Sequence, residues 1–370
     1  TVRQHLSDSF NCMSAMCPDS LSHSHSPHPS LSPASPLGRS TYCATGSSPS
    51  IASGRVSYVL GLNGACSMID TACSAGLVAT HFARAALVLS ESNVADVMAV
   101  NLILSPDGAH TPFAIAGMTS PTGKCHTFDK HTDGYARSEA CGATVLQTSQ
   151  SEVSELVVMD GSAVRCDGKS ASLTAPNGQA QRQVILAAMA VAQISPAALC
   201  LMEAHGTGTA LGDPMEMGSV SSAVLKHRDE GVAPIAIGSV KANAGHAEPG
   251  AGFFGLLKLG VGLVQGDAAP NAQLHILNPH MSGAQLVVGC AMPTQVGCLA
   301  VLASIGSVSS FGYSGSIAHA VLRQAARAPT PGLLAALPLP CRRRAFLWRQ
   351  LGARSHTSVA AVYGTCWTPL

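Results

Sequence analysis

Charge is what this chain has least of. Asp, Glu, Lys and Arg make up 11% of its 370 residues, less than half the roughly 25% of an average soluble domain. The 21 basic and 20 acidic residues leave a formal net charge of +1, so no global field draws nucleic acid or an anionic membrane, and neither is expected as a partner. No C-x-x-C pair occurs and the 13 cysteines are an odd, irregularly spaced number, which argues against both a disulfide framework and a zinc ribbon. Uninterrupted apolar spans are missing too. Gln193, Ser195 and Pro196 break the stretch Val184 to Met202, and polar residues and glycines punctuate Ala268 to Leu322 too often for a lipid-facing helix. A dinucleotide fingerprint and a fixed-spacing ligand cluster are absent, so neither a metal nor a redox cofactor is expected.

What is present is apolar residues, 46%, and 36 glycines, the composition of a tightly packed interior rather than of a disordered chain. The length allows one large domain or two to three small ones. Cysteine usage fits a reducing, intracellular compartment, cytoplasm or plastid. The chain opens on Thr1 rather than Met, which reads as a fragment or a processed form.

Three regions follow from the texture. Residues 1–40 are rich in Ser, Pro and His and are predicted to be a disordered leader, in which His23, His25 and His28 lack the partners of a metal site. Residues 41–324 alternate apolar runs with glycine turns, as an α/β core does. Residues 325–370 read as a linker or docking tail, its cluster Arg342, Arg343 and Arg344 beside Trp348 being too isolated for a nucleic-acid site. Within the core, strands are predicted over Ala65 to Ala72, Ala95 to Leu104, Ala198 to Glu203 and Ile235 to Val240. Helices are predicted over Ser74 to Ser90, Gln181 to Gln193 and about Gly250 to Val264.

Three strand-to-turn junctions carry the reactive side chains. Asp70-Thr71-Ala72-Cys73-Ser74 places a cysteine where a helix begins, and unpaired N–H groups there are expected to lower its pKa and make it a nucleophile. His205 and His246 each lie in a glycine-rich turn after a strand, with Lys241 five residues before the second. A nucleophilic thiol needs proton handling and oxyanion stabilisation, and three such junctions can converge at one sheet edge. The other cysteines, including Cys66, Cys141 and Cys200, read as small core residues.

These residues resemble the β-ketoacyl synthases of the thiolase-like superfamily, most closely the ketosynthase domains of modular polyketide synthases. The resemblance covers about Tyr42 to Leu322. It rests on Asp70 to Ser74, on Glu203-Ala204-His205-Gly206-Thr207-Gly208-Thr209, on Lys241-Ala242-Asn243-Ala244-Gly245-His246 and on Ser309-Ser310-Phe311-Gly312-Tyr313-Ser314-Gly315. Gly54 to Tyr58, Phe128-Asp129 and Gly134-Tyr135-Ala136-Arg137 also look like family elements. Separate motifs in the family's order form a far more specific signal than any one alone.

The resemblance implies a layered αβαβα fold of two related halves, the N-terminal half incomplete because the opening strand and helices have no match. It implies catalysis by Cys73, His205, His246 and Lys241, and an oxyanion hole from the N–H groups of Cys73 and Tyr313. Substrate contacts are implied for Thr207, Thr209, Phe311 and Gly312. No cofactor is implied, since substrates ride on the phosphopantetheine of acyl carrier protein. A homodimer, with adjacent synthase domains, belongs to the same expectation. Gly208 to Pro214 looks polyketide-like, while His246-Ala247-Glu248-Pro249 also resembles animal-type fatty acid synthases. Simple thiolases fit less well, because Phe311 to Gly315 has no second cysteine. Ser138 and Ala140 replace family glycines and Ile317 an asparagine, whose polar support of the oxyanion turn is expected to be lost. The alternatives are a truncated, non-catalytic homologue that only dimerises or scaffolds, and a Cys-His acyl transferase or hydrolase.

Overall fold

The computed structural model describes residues 10–16, 45, 48–103, 110–148, 156–281, 289–299, 304–325, 341–344 and 366–369. The chain divides into two compact units, Thr1–Ala328 and Pro329–Leu370. In the larger unit the order is β1 (Phe10–Met16), α1 (Pro49–Leu60), β2 (Cys66–Ile69), α2 (Ala75–Val88), β3 (Val94–Asn101), α3 (Thr111–Ile115), β4 (Ala140–Gln147), β5 (Val157–Cys166), α4 (Gly178–Ala192) and β6 (Leu199–Glu203). It continues with α5 (Gly212–Ala223), β7 (Ile235–Gly238), α6 (Lys241–Ala244), α7 (Ala251–Gln265), β8 (Asp267–Ala268), β9 (Cys290–Ala291), β10 (Gly297–Cys298), β11 (Ile305–Phe311) and β12 (Ser316–Gln324). The smaller unit holds an antiparallel pair, β13 (Cys341–Arg344) with β14 (Cys366–Pro369). Trp348 and the leader's His23, His25 and His28 lie outside the described residues.

Two main sheets are built, in the orders β2-β1-β3-β4 and β5-β12-β11-β6-β7-β9. In β3 the alternate residues Ala95, Val97, Ala99 and Asn101 are buried, the period of a strand covered on one face. Below that face lie α2 and α7. Ala79, Ala83, Ala86 and Leu87 of α2 pack with Ala95, Val97, Ala99 and Phe253. Leu77 and Val78 face the other way, with Leu256, Leu259 and Leu263 of α7 against Val308, Ala318, Ala320 and Leu322 of the second sheet. Apolar residues on every side of α7 fit this burial, and Gly266, at φ 74°, ends the helix in the left-handed conformation that glycine adopts without strain. On the far face of the second sheet, Ile185, Ala188 and Met189 of α4 and Met217, Val220 and Ala223 of α5 pack on Leu199, Met202, Ile235, Ile237 and Val321. With α1 against β1 and β2, the layers read αβαβα, as the resemblance implies.

One expectation is corrected. Phe10–Met16 falls in the stretch read as a disordered leader, yet it forms β1, parallel to both β2 and β3, with Met13 opposite Met68 on one side and Met98 on the other. The centre of the first sheet is therefore occupied. This run has five apolar residues in seven and neither proline nor charge, so it can supply hydrogen bonds on both flanks. Among the described residues no helix is long and apolar enough to cross a membrane.

The central layer depends on close helix approach. A Cβ on Gly76 would lie 2.8 Å from Phe253 Cβ and 2.9 Å from the Pro249 carbonyl oxygen, and one on Gly252 would lie 2.7 Å from Ser310. Gly76→Ala is therefore expected to destabilise the fold by about 1–3 kcal/mol, despite alanine's better helix propensity. Urea denaturation checks this, and a stabilised variant would contradict the packing.

Candidate active site

Cys73 sits between β2 and α2 in a tight elbow. Ala72 has φ 53° and its N–H donates to Asp70 Oδ1 at 3.1 Å, while Ser74 Oγ donates to the Thr71 carbonyl at 2.9 Å. Ser310 Oγ, from β11, donates to the Cys73 carbonyl at 2.7 Å. The N–H groups of Tyr313 and of Cys73 itself lie against the thiol. Even so, burial pushes this thiol up to about 12, helped by the Glu248 carboxylate and opposed by Lys241 and the two N–H groups. The expectation of a lowered pKa is thus reversed: withdrawing a thiolate from water outweighs one helix end. At rest Cys73 is a neutral thiol.

His205 lies in the loop from β6 to α5, a loop shaped by carboxylates. Glu216 accepts from the N–H groups of His205 at 2.7 Å and Gly206 at 2.8 Å. Asp213 accepts from Gly208 at 3.1 Å and from Phe128 at 2.8 Å. Burial raises Glu216 to about 7 and Asp213 to about 6. Thr207 and Thr209, in the same loop, share a hydroxyl hydrogen bond of 3.1 Å. Gly206, at φ 45°, has no room for a Cβ between Ser239 and Thr127, so this position requires glycine.

His246 follows β7 and α6 and is fully buried. Its N–H donates to the Ala136 carbonyl at 2.6 Å and its carbonyl accepts from Ser138 N–H at 3.0 Å. The ring stands edge-on to Tyr135, centroids 4.7 Å apart, and to His205 at 5.9 Å and 88°. Nδ1 of His246 accepts the Glu248 N–H at 2.9 Å, and Nδ1 of His205 accepts the Phe311 N–H at 3.3 Å. An imidazole accepting at Nδ1 carries its proton on Nε2. His246 Nε2 is buried with no hydrogen-bond partner. Burial, and then the Lys241 ammonium, push both imidazoles well below the usual histidine range, so both are neutral donors. Lys241 is 2% exposed. Its burial lowers its own pKa, against the carboxylates of Glu203 and Glu216.

The turn from β11 to β12 closes the site. Gly312 N–H donates to the Ser316 carbonyl at 2.8 Å and Gly315 N–H to Gly312 at 2.9 Å. A Cβ on Gly312 would collide with the Thr71 carbonyl, so the turn and the cysteine elbow are in contact. The Phe311 ring lies 5.4 Å from His205 and packs with Ile317, Ala180 and Val184. The support expected from an asparagine at 317 is replaced by this apolar contact and by the turn's own backbone hydrogen bonds.

Cys73, His205, His246, Lys241, Phe311, Gly312 and Tyr313 are thus brought together by four loops, with Thr207 and Thr209 beside His205. Sequence reasoning gives no role to Glu216, Asp213, Arg137, Glu248 or Phe113. Asp213-Pro214 and His246-Ala247-Glu248 are visible as motifs, but a carboxylate that holds a backbone has no signature in spacing. A cavity of about 470 Å³ lined by Leu201, Ile237, Phe254, Lys258, Ala268 and Pro293 contains none of the reactive side chains and is separate from this site. Cys66, Cys73, Cys125, Cys141, Cys166, Cys200, Cys290 and Cys298 are free thiols. Among those residues no group of three or more His, Cys, Asp or Glu is arranged to hold a metal ion.

A thiol, two neutral imidazoles and a buried ammonium at the strand ends of two stacked sheets define a thiolase-fold protein with a Cys-His-His centre. Comparison with known proteins narrows the class. Residues 20–152 match the β-ketoacyl synthase N-terminal domain and residues 156–275 its C-terminal domain, and the chain belongs to the β-ketoacyl synthase family as a ketosynthase domain of the modular polyketide synthase type. It is 40% identical over 294 residues to a phenolphthiocerol/phthiocerol polyketide synthase of Mycobacterium tuberculosis, covering 77% of this chain and 16% of that protein. It is 39% identical over 314 residues to an erythronolide synthase of Saccharopolyspora erythraea, covering 83% of this chain and 10% of that protein. Among solved structures, the oxazolomycin ketosynthase domain from Streptomyces albus superposes with a TM-score of 0.77 at 31% identity, over 87% of this chain and 56% of the other. The ketosynthase of module 6 of the Bacillus subtilis bacillaene synthase gives 0.75 at 29%, over 87% and 55%. The chain therefore spans little more than half of the solved ketosynthases and a small part of the curated synthases.

Alkylation of Cys73 by iodoacetamide is expected to keep accelerating from pH 7 to pH 10, past the ordinary thiol range of about 8.5. Lys241→Met is expected to slow it at every pH, because the ammonium favours the thiolate. Mass spectrometry of the labelled site reads both, and a rate plateau below pH 9 would contradict a thiol held protonated by burial.

Proposed function

We propose that this chain catalyses decarboxylative Claisen condensation of an acyl group on Cys73 with a malonyl-type thioester, in polyketide or fatty acid assembly. The observation that carries this reading is the pair of imidazoles held by backbone donors at Nδ1, which turns two Nε2–H groups into donors beside a thiol. In the first step the Cys73 sulfur attacks an acyl thioester. The new S–C bond replaces the carrier's, and the carrier thiolate leaves with the proton that the Cys73 thiol gives up. In the second, the malonyl carboxylate departs as carbon dioxide and its electron pair passes into an enolate, whose oxygen takes hydrogen bonds from His205 and His246. That carbanion attacks the acyl carbonyl, the C–S bond breaks, and the departing Cys73 thiolate takes up a proton from water.

The N–H groups of Cys73 and Tyr313 hold the oxyanion of the tetrahedral intermediate. Lys241 is a positioning charge that keeps both imidazoles neutral. Thr207 and Thr209 take hydrogen bonds from the phosphopantetheine arm, while Phe311 and Gly312 line the acyl channel. The substrates ride on acyl carrier protein beside adjacent synthase domains, with no further cofactor, in an intracellular setting. A homodimer belongs to this reading, supported by the edge position of β2 and by Tyr58, Val59 and Leu60 on the neighbouring α1, which are 88%, 72% and 60% exposed. With β1 counted in the core, the boundary near residue 325, between that core and a linker or docking tail, is proposed with it.

Incubation with an acyl thioester is expected to add one acyl mass to the protein and none to Cys73→Ala. Malonyl thioester is expected to release carbon dioxide, and His205→Ala and His246→Ala to lose at least 100-fold in that release. Acylation with free acid but no carbon dioxide would favour the hydrolase or transferase. A folded protein that takes no acyl group would favour the non-catalytic homologue.

A further inference from the structure

The condensing reading leaves unused a buried ion pair that touches both halves of the site. Arg137, from the segment before β4, meets Glu248 in a two-pronged contact, Nε to Oε1 at 2.5 Å and Nη2 to Oε2 at 3.1 Å. The side chains are 3% and 4% exposed, so this is no solvated surface pair. On one side, the N–H of Glu248 is the donor that fixes His246 Nδ1. On the other, the Arg137 guanidinium lies 5.6 Å from the centroid of the Phe113 ring, and that ring stands edge-on to Tyr313, 6.0 Å away at 78°. Four residues from four stretches of chain thus run in contact from the imidazole to the oxyanion turn.

We propose that Arg137, Glu248 and Phe113 act as a positioning brace that sets the His246 imidazole and the Tyr313 turn from a single buried ion pair. The inference rests on the condensing reading and adds positioning residues to it. The backbone of Glu248 makes the argument specific. Its φ is 43°, a left-handed conformation that a residue with a side chain keeps only where its surroundings impose it. The planar guanidinium fork grips both carboxylate oxygens and so fixes the orientation of Glu248 as well as its charge. Freed of the fork, Glu248 relaxes and its N–H swings off Nδ1. The imidazole proton is then no longer confined to Nε2, where the enolate oxygen needs it. At the other end, Phe113 loses the cation above its face and Tyr313 loses the edge that seats it, which loosens the N–H that lies against the Cys73 thiol.

The test separates the two half-reactions in the full chain. Glu248→Gln breaks the fork and is expected to lower kcat for malonyl-thioester decarboxylation by about 10–100-fold with KM within about threefold of wild type, and to slow Cys73 acylation by a distinctly smaller factor, under about tenfold. Phe113→Leu is expected to do the reverse, slowing acylation about tenfold and leaving decarboxylation within about threefold. Arg137→Lys keeps the charge but loses the fork and is expected to slow both. Glu248→Asp, which restores the charge, is expected to recover part of the Glu248→Gln loss. Thermal melts of each variant fix the folded fraction, and Phe113→Leu leaves the ion pair intact should Glu248→Gln fail to fold. A merely structural role lowers both half-reactions by one common factor, and that result, or variants equal to an active wild type, overturns the brace while leaving the condensing reading standing. A wild type that neither acylates nor decarboxylates overturns both.

Discussion

The approach of α2 to α7 is the constraint on which the rest of the molecule depends. Both helices are buried between sheets, and their N-terminal ends meet where Gly76 and Gly252 leave no room for a Cβ. Cys73 lies two positions before the first residue of α2, and the turn carrying Phe311 and Tyr313 ends the strand on which Ser310 faces Gly252. The distance between Cys73 and the turn that carries Tyr313 is therefore set by helix packing in the central layer rather than by either loop. Ser310, touching both the Cys73 carbonyl and α7, ties the two together.

Desolvation dominates the electrostatics. The same burial that raises the Cys73 thiol lowers the imidazoles and Lys241 and raises Glu203, Asp213 and Glu216. Every group is pushed toward its neutral form, and partners decide which charges survive. Glu203 has Lys258 at 2.6 Å. Glu216 and Asp213 have pairs of backbone donors. Lys241 has carboxylates on more than one side, and its field helps to hold both histidines unprotonated. The site is a low-dielectric chamber with one ammonium and two neutral donors, suited to stabilising an anion that forms transiently.

Much of this is legible in the sequence because reactive side chains sit at strand ends, where apolar runs stop at glycine turns. Strands β2, β3, β6 and β7 and helices α2, α4 and α7 follow the hydrophobic pattern, and Cys73, His205, His246 and Lys241 fall at their ends. β1 is not legible, since Phe10–Met16 lies among Ser, Pro and His, and its strand state rests on pairing with residues 50 to 90 positions away. The thiol pKa escapes local reading for a similar reason. A helix end can be read from local sequence, but the water excluded from Cys73 depends on β11, α7 and the Glu248 turn. The Arg137–Glu248 contact spans 111 positions and has no local period at all.

The carboxylates of α5 have a consequence for how the His205 loop tolerates change. Glu216 and Asp213 bind the loop through its main-chain N–H groups, at His205, Gly206 and Gly208, and not through its side chains. The loop's shape is stored in the first turns of the following helix. Side chains at its rim, such as Ala210 and Leu211, are exposed and free to differ among relatives while the imidazole stays where it is. A rim that can be rewritten around a fixed imidazole lets the mouth of the site change shape without moving the ring inside it.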